Sequence, residues 1–567
     1  MAHAEWALKF KTKGTELRNI RGKYYLYRIS SKWDKERKIT RKITHEMIGS
    51  ITEKDGLIPS GTKKNKKDVL ATELLKNIST KEYGATQQLQ AMSEDILTEL
   101  KTHFPDIWEE LFVLACNRLL YQSPLKNMSL YYEESFISEQ LQDLDLSKNT
   151  LTSLMQKIGN DRGKVAKFMT TFVEGSEHLL FDITDVVSQS KKIKMSAKGY
   201  NSHYNFDPQV NLFYMFASDT QTPVFYRTFP GNISGMKALE LSIKEAGVKN
   251  ALVIGDKGFC SEENINMLEA TGLNYILPVR RDSSYLNYER LKSREYDQAY
   301  DGHFMHYGRP IFHYTITNYT AVICHKKPEE YSNATAYLYR DTGCWQIDIN
   351  NRPIAINNKA LEEKLSKINF NDSATIIDVA INQELRSFLI KNKIKGINFE
   401  LNKKVVVFLD EALRGEEERS YLARINDKCE GYDMDKYQDK QLSFGTIGMI
   451  TNASKKDPQA IYVDFKTRME VETVFDAYKN LLEADRSYMQ SDASINAWMF
   501  INHLSVMLYY KLLNLIKSKD MISQISPRDV LIMLQRINKV KINQEWYLGE
   551  INSKSVNVLA KLGITVT

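Results

Sequence analysis

Residues 178–187 read HLLFDITDVV, a short apolar run that two acidic residues interrupt. Two more apolar runs follow, NLFYMFASD at 211–219 and PVFYRTFPG at 223–231, so the three segments predict an antiparallel meander. Helix and strand patterns then alternate: a helix at about 234–247, the buried strand ALVIGD at 251–256, the helix SEENINMLEATG and the strand NYILPV at 274–279. The order β-β-β-α-β-α-β favours a mixed sheet with helical crossovers.

Two of these strands carry acidic residues where apolar ones are expected. Strand alternation places Leu180, Asp182 and Thr184 on one face, so Asp182 is a carboxylate in the middle of an apolar strand. Asp256 ends the run ALVIGD. A buried charge is costly unless it is paired or binds a metal, and ligands of α/β sheets lie at strand ends. Asp185 competes with Asp182 but points to the opposite face, and Asp256 is equally well explained as a helix N-cap.

The segment at 464–486, DFKTRMEVETVFDAYKNLLEADR, is predicted to form one helix. At about 100° per residue, Phe465, Arg468, Glu472 and Lys479 lie within an arc of about 60° on that helix. Arg468 and Glu472 by themselves would be an ordinary i,i+4 ion pair on a solvated face. Together with the two strand acids, however, Glu472 completes a three-carboxylate set of the kind that holds two Mg²⁺ ions for in-line phosphoryl transfer.

Positive charge is concentrated at the N-terminal end of the chain. Residues 1–80 contain 19 Lys and Arg against 9 Asp and Glu, a balance of +10, whereas the whole chain carries +6 and the remainder therefore −4. The run RKITRKITHEMI begins at Arg37, includes Lys38, Arg41 and Lys42, and predicts a basic β-ribbon. Such a ribbon can lie in a DNA groove, and a solvated basic face is the alternative.

Composition argues against several other classes of protein. Hydrophobic residues make up 43% of the chain and charged residues 26%, which is ordinary globular usage and not that of a disordered protein. Polar residues interrupt the most apolar stretch, at 498–516, so no membrane span is predicted. The N-terminus has no apolar run behind a basic start, and the five cysteines form no CxxC pair. We therefore expect a cytoplasmic protein without a signal peptide, a disulfide framework or a structural zinc site.

The spacing in the 464–486 segment resembles that of cut-and-paste DDE transposases of the bacterial insertion-sequence-four superfamily. In that family the third acid lies in a helix with the pattern Y-(2)-R-(3)-E-(6)-K, and this chain reads Phe465-(2)-Arg468-(3)-Glu472-(6)-Lys479. Phe465 replaces the family's Tyr, and a phenyl ring cannot donate a hydroxyl hydrogen bond to a DNA phosphate.

Other blocks of the chain resemble the same family in the same order. The first acid matches Asp182 in FDIT, and the second matches Asp256 in IGDKGF. DPQV at 207–210 and FPGN at 229–232 resemble further core blocks, and a β-rich insertion before the helix of the third acid also fits. The resemblance covers about 100–515 clearly and the N-terminal segment weakly.

The resemblance implies a ribonuclease-H-like core in which Asp182, Asp256 and Glu472 bind two Mg²⁺ ions, with Mn²⁺ as an alternative. Arg468 and Lys479 would hold DNA phosphates, with Phe465 beside them. Water would attack the phosphate at the element end, and the freed 3′-OH would then act as the nucleophile. The implied partners are double-stranded DNA, as inverted-repeat ends and target, and a second copy of the chain in a synaptic homodimer on the bacterial nucleoid.

We therefore predict an α/β catalytic core, a ribonuclease-H-like mixed sheet, with a β-rich insertion, a basic N-terminal β module and flanking helical regions. Trp345, in the insertion, is predicted to be a core residue rather than an aromatic that holds a flipped base. The predicted domains are 1–84 (basic DNA-binding module and linker), 85–175 (helical domain), 176–282 (first part of the core), 283–455 (β-rich insertion), 456–516 (last part of the core) and 517–567 (C-terminal helical region).

Two other classes stay open at this point. A ribonuclease-H-like nuclease without strand transfer would cut DNA by its structure, with no preference for inverted-repeat ends. A non-catalytic DNA-binding relic or regulator would bind DNA without cutting it, although the complete acid set argues against this class.

Overall fold

The chain divides into two compact units in the computed structural model: Met1–Lys81 with Asn538–Glu550, and Glu82–Ile537 with Ile551–Thr567. The described residues are 3–34, 39–60, 78–199, 207–233, 235–283, 285–316, 320–324, 336–341, 344–349, 352–356, 359, 362–363, 375–378, 404–453 and 455–566.

The first unit begins with an antiparallel meander in which successive strands pair. The elements up to residue 82 are α1 Glu5–Leu8, β1 Thr15–Ile20, β2 Lys23–Asp34, β3 Ile39–Thr52, β4 Gly56–Pro59 and β5 Ser79–Glu82. The meander consists of β1 to β4. Leu17, Tyr24, Leu26 and Ile51 form a small core under α1, because the aromatic run of β2 alternates its side chains across the sheet. Farther out on the β2–β3 hairpin the side chains are exposed.

A block of helices opens the second unit, as the sequence predicts for 85–175. They are α2 Gly84–Met92, α3 Glu94–His103, α4 Trp108–Tyr121, α5 Met128–Glu134, α6 Ile137–Gln140, α7 Lys148–Asn160 and α8 Arg162–Val173. The apolar faces of these helices join the large hydrophobic core of this unit.

A mixed sheet follows, and its element order matches the predicted β-β-β-α-β-α-β apart from one extra two-residue strand. The elements are β6 His178–Val187, β7 Ala197–Lys198, β8 Pro208–Ala217, β9 Thr222–Pro230, α9 Gly235–Ala246, β10 Leu252–Ile254, α10 Glu262–Ala270 and β11 Asn274–Val279. β6, β8 and β9 are antiparallel neighbours, whereas β10 is parallel to both β6 and β11. This mixed α/β arrangement is consistent with the ribonuclease-H-like core that the resemblance implies.

The segment predicted to be an insertion contributes to two sheets within the described residues. Its elements are α11 Tyr296–Ala299, β12 Gly302–His306, β13 Arg309–Ile316, β14 Thr320–Cys324, β15 Ala336–Asp341, β16 Cys344–Ile349, β17 Arg352–Ala355, β18 Thr375–Asp378, β19 Lys404–Asp410, α12 Glu411–Asn426, α13 Met434–Lys440 and β20 Thr446–Thr451. β20, β19, β13 and β12 extend the main sheet beyond β11, and β14 to β18 form a separate five-stranded sheet. Trp345 is buried in β16.

The last part of the chain corrects two sequence predictions. It contains α14 Pro458–Lys466, α15 Met469–Asp476, a π turn at Ala477–Leu481, α16 Asp492–Ser518, α17 Pro527–Gln535, β21 Asn538–Ile542, β22 Glu545–Leu548 and α18 Ser553–Lys561. The single helix predicted at 464–486 is wrong, because two helices and a π turn take its place. The region predicted to be helical after 516 includes the β21–β22 hairpin, since Asn543 and Gln544 adopt positive φ angles and close a two-residue turn.

The long helix α16 contacts the main sheet at β9. Its backbone accepts a hydrogen bond from the hydroxyl of Tyr226 on β9, at 3.3 Å to the carbonyl of Asn496. On another side, Ser505 donates to the carbonyl of Ala115 in α4 at 3.0 Å. No described helix combines the length and apolar character needed to cross a membrane.

Candidate active site

Two of the predicted acids lie on or just beyond neighbouring parallel strands. β6 and β10 pair in a register that sets Ile254 beside Leu180. Asp182 is two residues past Leu180 within β6, and Asp256 is two residues past Ile254, just after the end of β10. The negative charge of Asp256 acts on the carboxyl of Asp182, so the two acids are near each other. Gly255 makes the approach feasible, because a Cβ atom there would stand 2.6 Å from the ring of Phe181.

Asp182 is a mostly buried carboxylate, with 21% of its side chain exposed. One oxygen, Oδ1, accepts a hydrogen bond from the backbone N–H of Ile183 at 2.8 Å. Burial raises the pKa of Asp182 to about 6; the hydrogen bond from Ile183 and the charge of Arg468 oppose this rise, whereas the negative charges of Asp256 and Glu472 add to it. The other two predicted acids, Asp256 and Glu472, therefore both repel the charged form of Asp182.

Asp256 stands at the N-cap position of the short 3₁₀ turn Lys257–Phe259, where the N-cap alternative would place it. Its side chain, however, makes no capping hydrogen bond. Within the described parts of the chain its carboxylate has neither a hydrogen bond nor an ion pair. A capping role thus does not account for this residue.

The third acid is delivered by α15, which begins where the predicted long helix is interrupted. The hydroxyl of Thr467 donates to the carbonyl of Asp464 at 2.6 Å, a local side-chain bond that competes with regular helix geometry. α15 then carries Glu472, whose side chain is 51% exposed. Phe465 remains on α14. Contrary to the prediction, it therefore does not share a helix with Glu472.

Arg468 connects the helix to the sheet. Its Nη1 donates to Oδ2 of Asp182 at 3.2 Å, and its Nη2 donates to Oε1 of Glu472 at 2.6 Å. The Arg468 side chain is 17% exposed. The i,i+4 pair that the sequence allows is therefore real, but it is one half of a bridge between two acids rather than a solvated surface pair.

Lys479 lies in the π turn and contacts a different acid. Its Nζ is 3.7 Å from Oδ1 of Asp185, and both side chains are largely buried. A π turn adds a residue to the helical turn, so positions predicted from a regular helix no longer hold beyond Asp476. Asp185, predicted to point away from Asp182, is thus a partner of the same helical segment that reaches Asp182.

A cavity of about 630 Å³ opens beside Asp256. Phe465 lines it together with Lys257 and Arg280, and Arg281 forms part of its wall. Sequence reasoning overlooked Lys257 and Arg280, although Arg280 directly follows β11 and Lys257 comes three residues after β10, and ligands of α/β proteins bind where strands end. Arg281 is already engaged, because its guanidinium binds both carboxylate oxygens of Glu417, at 2.9 and 3.0 Å.

The basic residues of the predicted β-ribbon belong to the first unit. Arg41 and Lys42 are exposed on β3, where Lys42 forms an ion pair with Glu16 on β1. Arg37 and Lys38 lie outside the described residues. Arg41 stands directly opposite Lys32 on β2, so two cations face each other across the hairpin.

The donor set suits a hard divalent cation, because three carboxylates supply the oxygen ligands that Mg²⁺ prefers. Burial of Asp182, together with the negative charges of Asp256 and Glu472, raises the pKa of Asp182, and a positive charge beside it would be favoured. In the described part of the chain, no three acidic, histidine or cysteine side chains are close enough together to hold a metal ion. Arg468, which lies against Asp182 and Glu472, provides the positive charge instead.

A mixed sheet with one acid within a strand, a second just after the neighbouring parallel strand and a third brought in by a helix is the arrangement of an α/β enzyme that acts on phosphate esters. Residues 174–508, more than half of the chain, match the family model of the transposase DDE domain. The chain therefore belongs to the DDE transposase domain family, whose members generally use divalent metal ions. This match confirms the predicted transposase class, while the insertion-sequence-four superfamily and the bacterial source stay predictions.

One solved structure similar to this chain is the cryo-EM structure of a piggyBac transposase synaptic complex with hairpin DNA. The two chains share 10% sequence identity and a TM-score of 0.33, with 79% of each chain covered. No curated protein matches this chain.

Proposed function

We propose that this transposase moves DNA by a cut-and-paste mechanism, cleaving at the ends of a mobile element and joining the freed 3′ ends to target DNA. The observation that carries the proposal is the effect of the charges of Asp256 and Glu472 on the carboxyl of Asp182, three acids that come from distant parts of the chain. Their charges meet at Asp182, where Arg468 bridges to Glu472. A purely structural role would not explain why Asp256 stands beside this bridge without a partner of its own.

Asp182, Asp256 and Glu472 are the proposed ligands of two Mg²⁺ ions, for which Mn²⁺ would substitute. When bound, such ions activate the attacking oxygen and stabilise the leaving oxygen of an in-line displacement. The chain's own part is to bring together one carboxylate from within β6, one from just after β10 and one from α15. Its packed core fixes β6 and β10, so the two strand acids need little reorganisation to act together.

Cationic side chains around the acids are proposed to position the DNA backbone. Lys257 and Arg280 line the cavity beside Asp256, where they would attract a phosphate next to the carboxylates. Arg468 and Lys479 are also proposed phosphate contacts, although each is paired with an acid in the free protein. Phe465 would contribute ring packing at the cavity wall and no hydrogen bond.

The β2–β3 hairpin is proposed to hold double-stranded DNA. Lys32 and Arg41 lie directly opposite each other across the hairpin, so a DNA backbone lying along it would meet both cations. Lys42 adds a third positive charge on β3, and Arg37 and Lys38 are proposed to continue the basic ribbon. We further propose that two copies of the chain bring two element ends together, on the nucleoid of a bacterium.

The test is cleavage of a supercoiled plasmid that carries the element ends, by full-length protein in Mg²⁺. Asp182→Asn, Asp256→Asn and Glu472→Gln should each lose cleavage while binding DNA as the wild type does. Asp476→Asn is the matched control, since this acid is exposed on the same helix and accepts a hydrogen bond from Asn480 at 2.6 Å. Cleavage by any of the three variants within about twofold of the wild type would remove that residue from the site.

Strand transfer distinguishes a transposase from a nuclease with the same acids. Pre-cleaved ends bearing a free 3′-OH should be joined to an unrelated plasmid by the wild type, and no joining should occur with Glu472→Gln. If the wild type cleaves but never joins, and cuts DNA without inverted-repeat ends equally well, the nuclease alternative is correct.

A further inference from the structure

Arg468 has two acidic partners that the proposed reaction needs for another purpose. The guanidinium contacts Asp182 at 3.2 Å and Glu472 at 2.6 Å. In the described part of the chain, it is the one cation hydrogen-bonded to either acid. Two of the three proposed metal ligands therefore already share one positive charge that the chain itself supplies.

Asp256, the third proposed ligand, differs from the two acids that Arg468 bridges. It lies just after the end of β10, the strand parallel to β6, and its charge acts on Asp182, yet none of the described residues donates a hydrogen bond to its carboxylate. One of the three proposed ligands thus has no hydrogen-bond donor on its carboxylate, whereas the other two are hydrogen-bonded to Arg468. The remaining ligands become available when Arg468 leaves.

We infer that Arg468 is a displaceable counter-ion that keeps the metal site closed until DNA binds. This inference rests on the proposed metal and DNA binding of the same site. A divalent ion and the guanidinium compete for the same oxygens of Asp182 and Glu472, and a DNA phosphate competes with those acids for the guanidinium. A guanidinium fork matches carboxylate and phosphate equally well, so the exchange replaces one set of charge-assisted hydrogen bonds with another.

The position of Arg468 permits such an exchange. The residue lies between α14 and α15 and makes no side-chain capping bond to the helix that follows it. Its partner Glu472 is half exposed, so this end of the bridge opens to solvent without disturbing the core. By linkage, if DNA draws Arg468 away from the acids, DNA must raise the affinity for metal, and metal must raise the affinity for DNA by the same factor.

The experiment measures Mn²⁺ binding to full-length protein at pH 7.5, by the electron paramagnetic resonance signal of free Mn²⁺. Without DNA, Arg468→Ala should bind Mn²⁺ about tenfold more tightly than the wild type, which corresponds to one charge-assisted hydrogen bond. Lys244→Ala is the charge control, because Lys244 is exposed on α9 and has no described contact with the bridged acids, and it should stay within about twofold of the wild type. Arg468→Lys keeps the charge without the fork, so it should bind Mn²⁺ with an intermediate affinity. This variant provides the test if the alanine variant is poorly folded.

A duplex of 30 base pairs of arbitrary sequence then tests the coupling, since phosphate contacts do not depend on sequence. The duplex, with its own Mn²⁺ binding subtracted, should tighten Mn²⁺ binding to the wild type about tenfold and leave Arg468→Ala unchanged. Equal affinities of the wild type and Arg468→Ala, or an equal gain from Lys244→Ala, would overturn the counter-ion role. An equal response of both proteins to the duplex would also overturn it.

Asp182→Asn separates this failure from that of the proposed function. If the wild type binds Mn²⁺ and Asp182→Asn does not, the metal site stands even when Arg468 proves irrelevant to it. If the wild type, Arg468→Ala and Asp182→Asn all bind equally little Mn²⁺, with and without the duplex, the proposed metal site itself is wrong, and the counter-ion role fails with it.

Discussion

Replacing Asp182 by Asn should stabilise the metal-free protein while it removes cleavage. The pKa of Asp182 rises from the ordinary 3.8 to about 6, chiefly because the carboxyl is buried. The charged form is therefore disfavoured in the folded state. At about 1.36 kcal/mol for each pH unit, this difference corresponds to a penalty of about 3 kcal/mol once the group is ionised in both states. Asn keeps the shape and a carbonyl oxygen for the N–H of Ile183 but carries no charge, although its amide faces Arg468 less favourably, so we expect a gain of about 2–3 kcal/mol.

The pH dependence follows from the direction of the pKa change. The folded state holds the proton of Asp182 up to about pH 6, whereas the unfolded chain releases it near 3.8. The stability that this group contributes is complete below pH 3.8, declines as the pH rises, and is lost above pH 6. The advantage of Asp182→Asn should therefore be full at pH 8, roughly half as large at pH 5 and absent below about pH 3.8.

Urea titrations of full-length protein with a chelator, at pH 5 and pH 8, measure this effect. The control is Asp476→Asn, which removes an exposed carboxylate and should change the free energy of unfolding by less than about 0.5 kcal/mol. Asp182→Asn that is no more stable than the wild type at pH 8, or gains the same amount at both pH values, would refute the account of Asp182 as a buried, repelled carboxylate. A stabilised but inactive variant is what a functional acid predicts, because function here opposes stability.

Three further predictions concern the cations and the departure from the family motif. Arg41→Ala with Lys42→Ala in the full chain should weaken DNA binding and reduce the slope of log K against log salt by up to about 2, as measured by fluorescence anisotropy at several salt concentrations. Lys479→Ala should lower the free energy of unfolding by about 2 kcal/mol, because it breaks a largely buried pair, and Asp185→Asn in the same chain should restore part of that loss in a double-mutant cycle. Phe465→Tyr should leave strand transfer unchanged or modestly faster, since the ring lines an open cavity that accommodates a hydroxyl.

Each of these outcomes has a matched comparison. Lys244→Ala with Lys249→Ala removes two exposed charges of the second unit and should leave the salt slope unaltered. Stability of Lys479→Ala within about 0.5 kcal/mol of the wild type would mean that the pair with Asp185 is not made in solution. A tenfold or greater loss of strand transfer in Phe465→Tyr would show that the ring packs too tightly for a hydroxyl.

The sequence by itself determined the sheet and its two acids. Period-two alternation and short buried runs depend only on neighbouring residues. The order of the strands along the chain and the positions of Asp182 and Asp256 could therefore be predicted without a structure. The spacing around Glu472 likewise carried the resemblance that the family match confirms at the level of the DDE transposase class. The break before α15 was not legible, because it depends on a weak local bond of Thr467 within a sequence that otherwise favours a helix.

Only the tertiary structure decided which partners these residues have. Arg468 is 286 positions away from Asp182 in the chain, and spacing gave it no partner other than Glu472. The same holds for Lys479 and Asp185, and for β12, β13, β19 and β20, which extend the main sheet rather than standing apart from it. Local patterns fix which face a side chain occupies, but pairing between distant segments depends on how the whole chain packs. The bridge that joins two of the three acids is therefore a property of the fold and not of the motif.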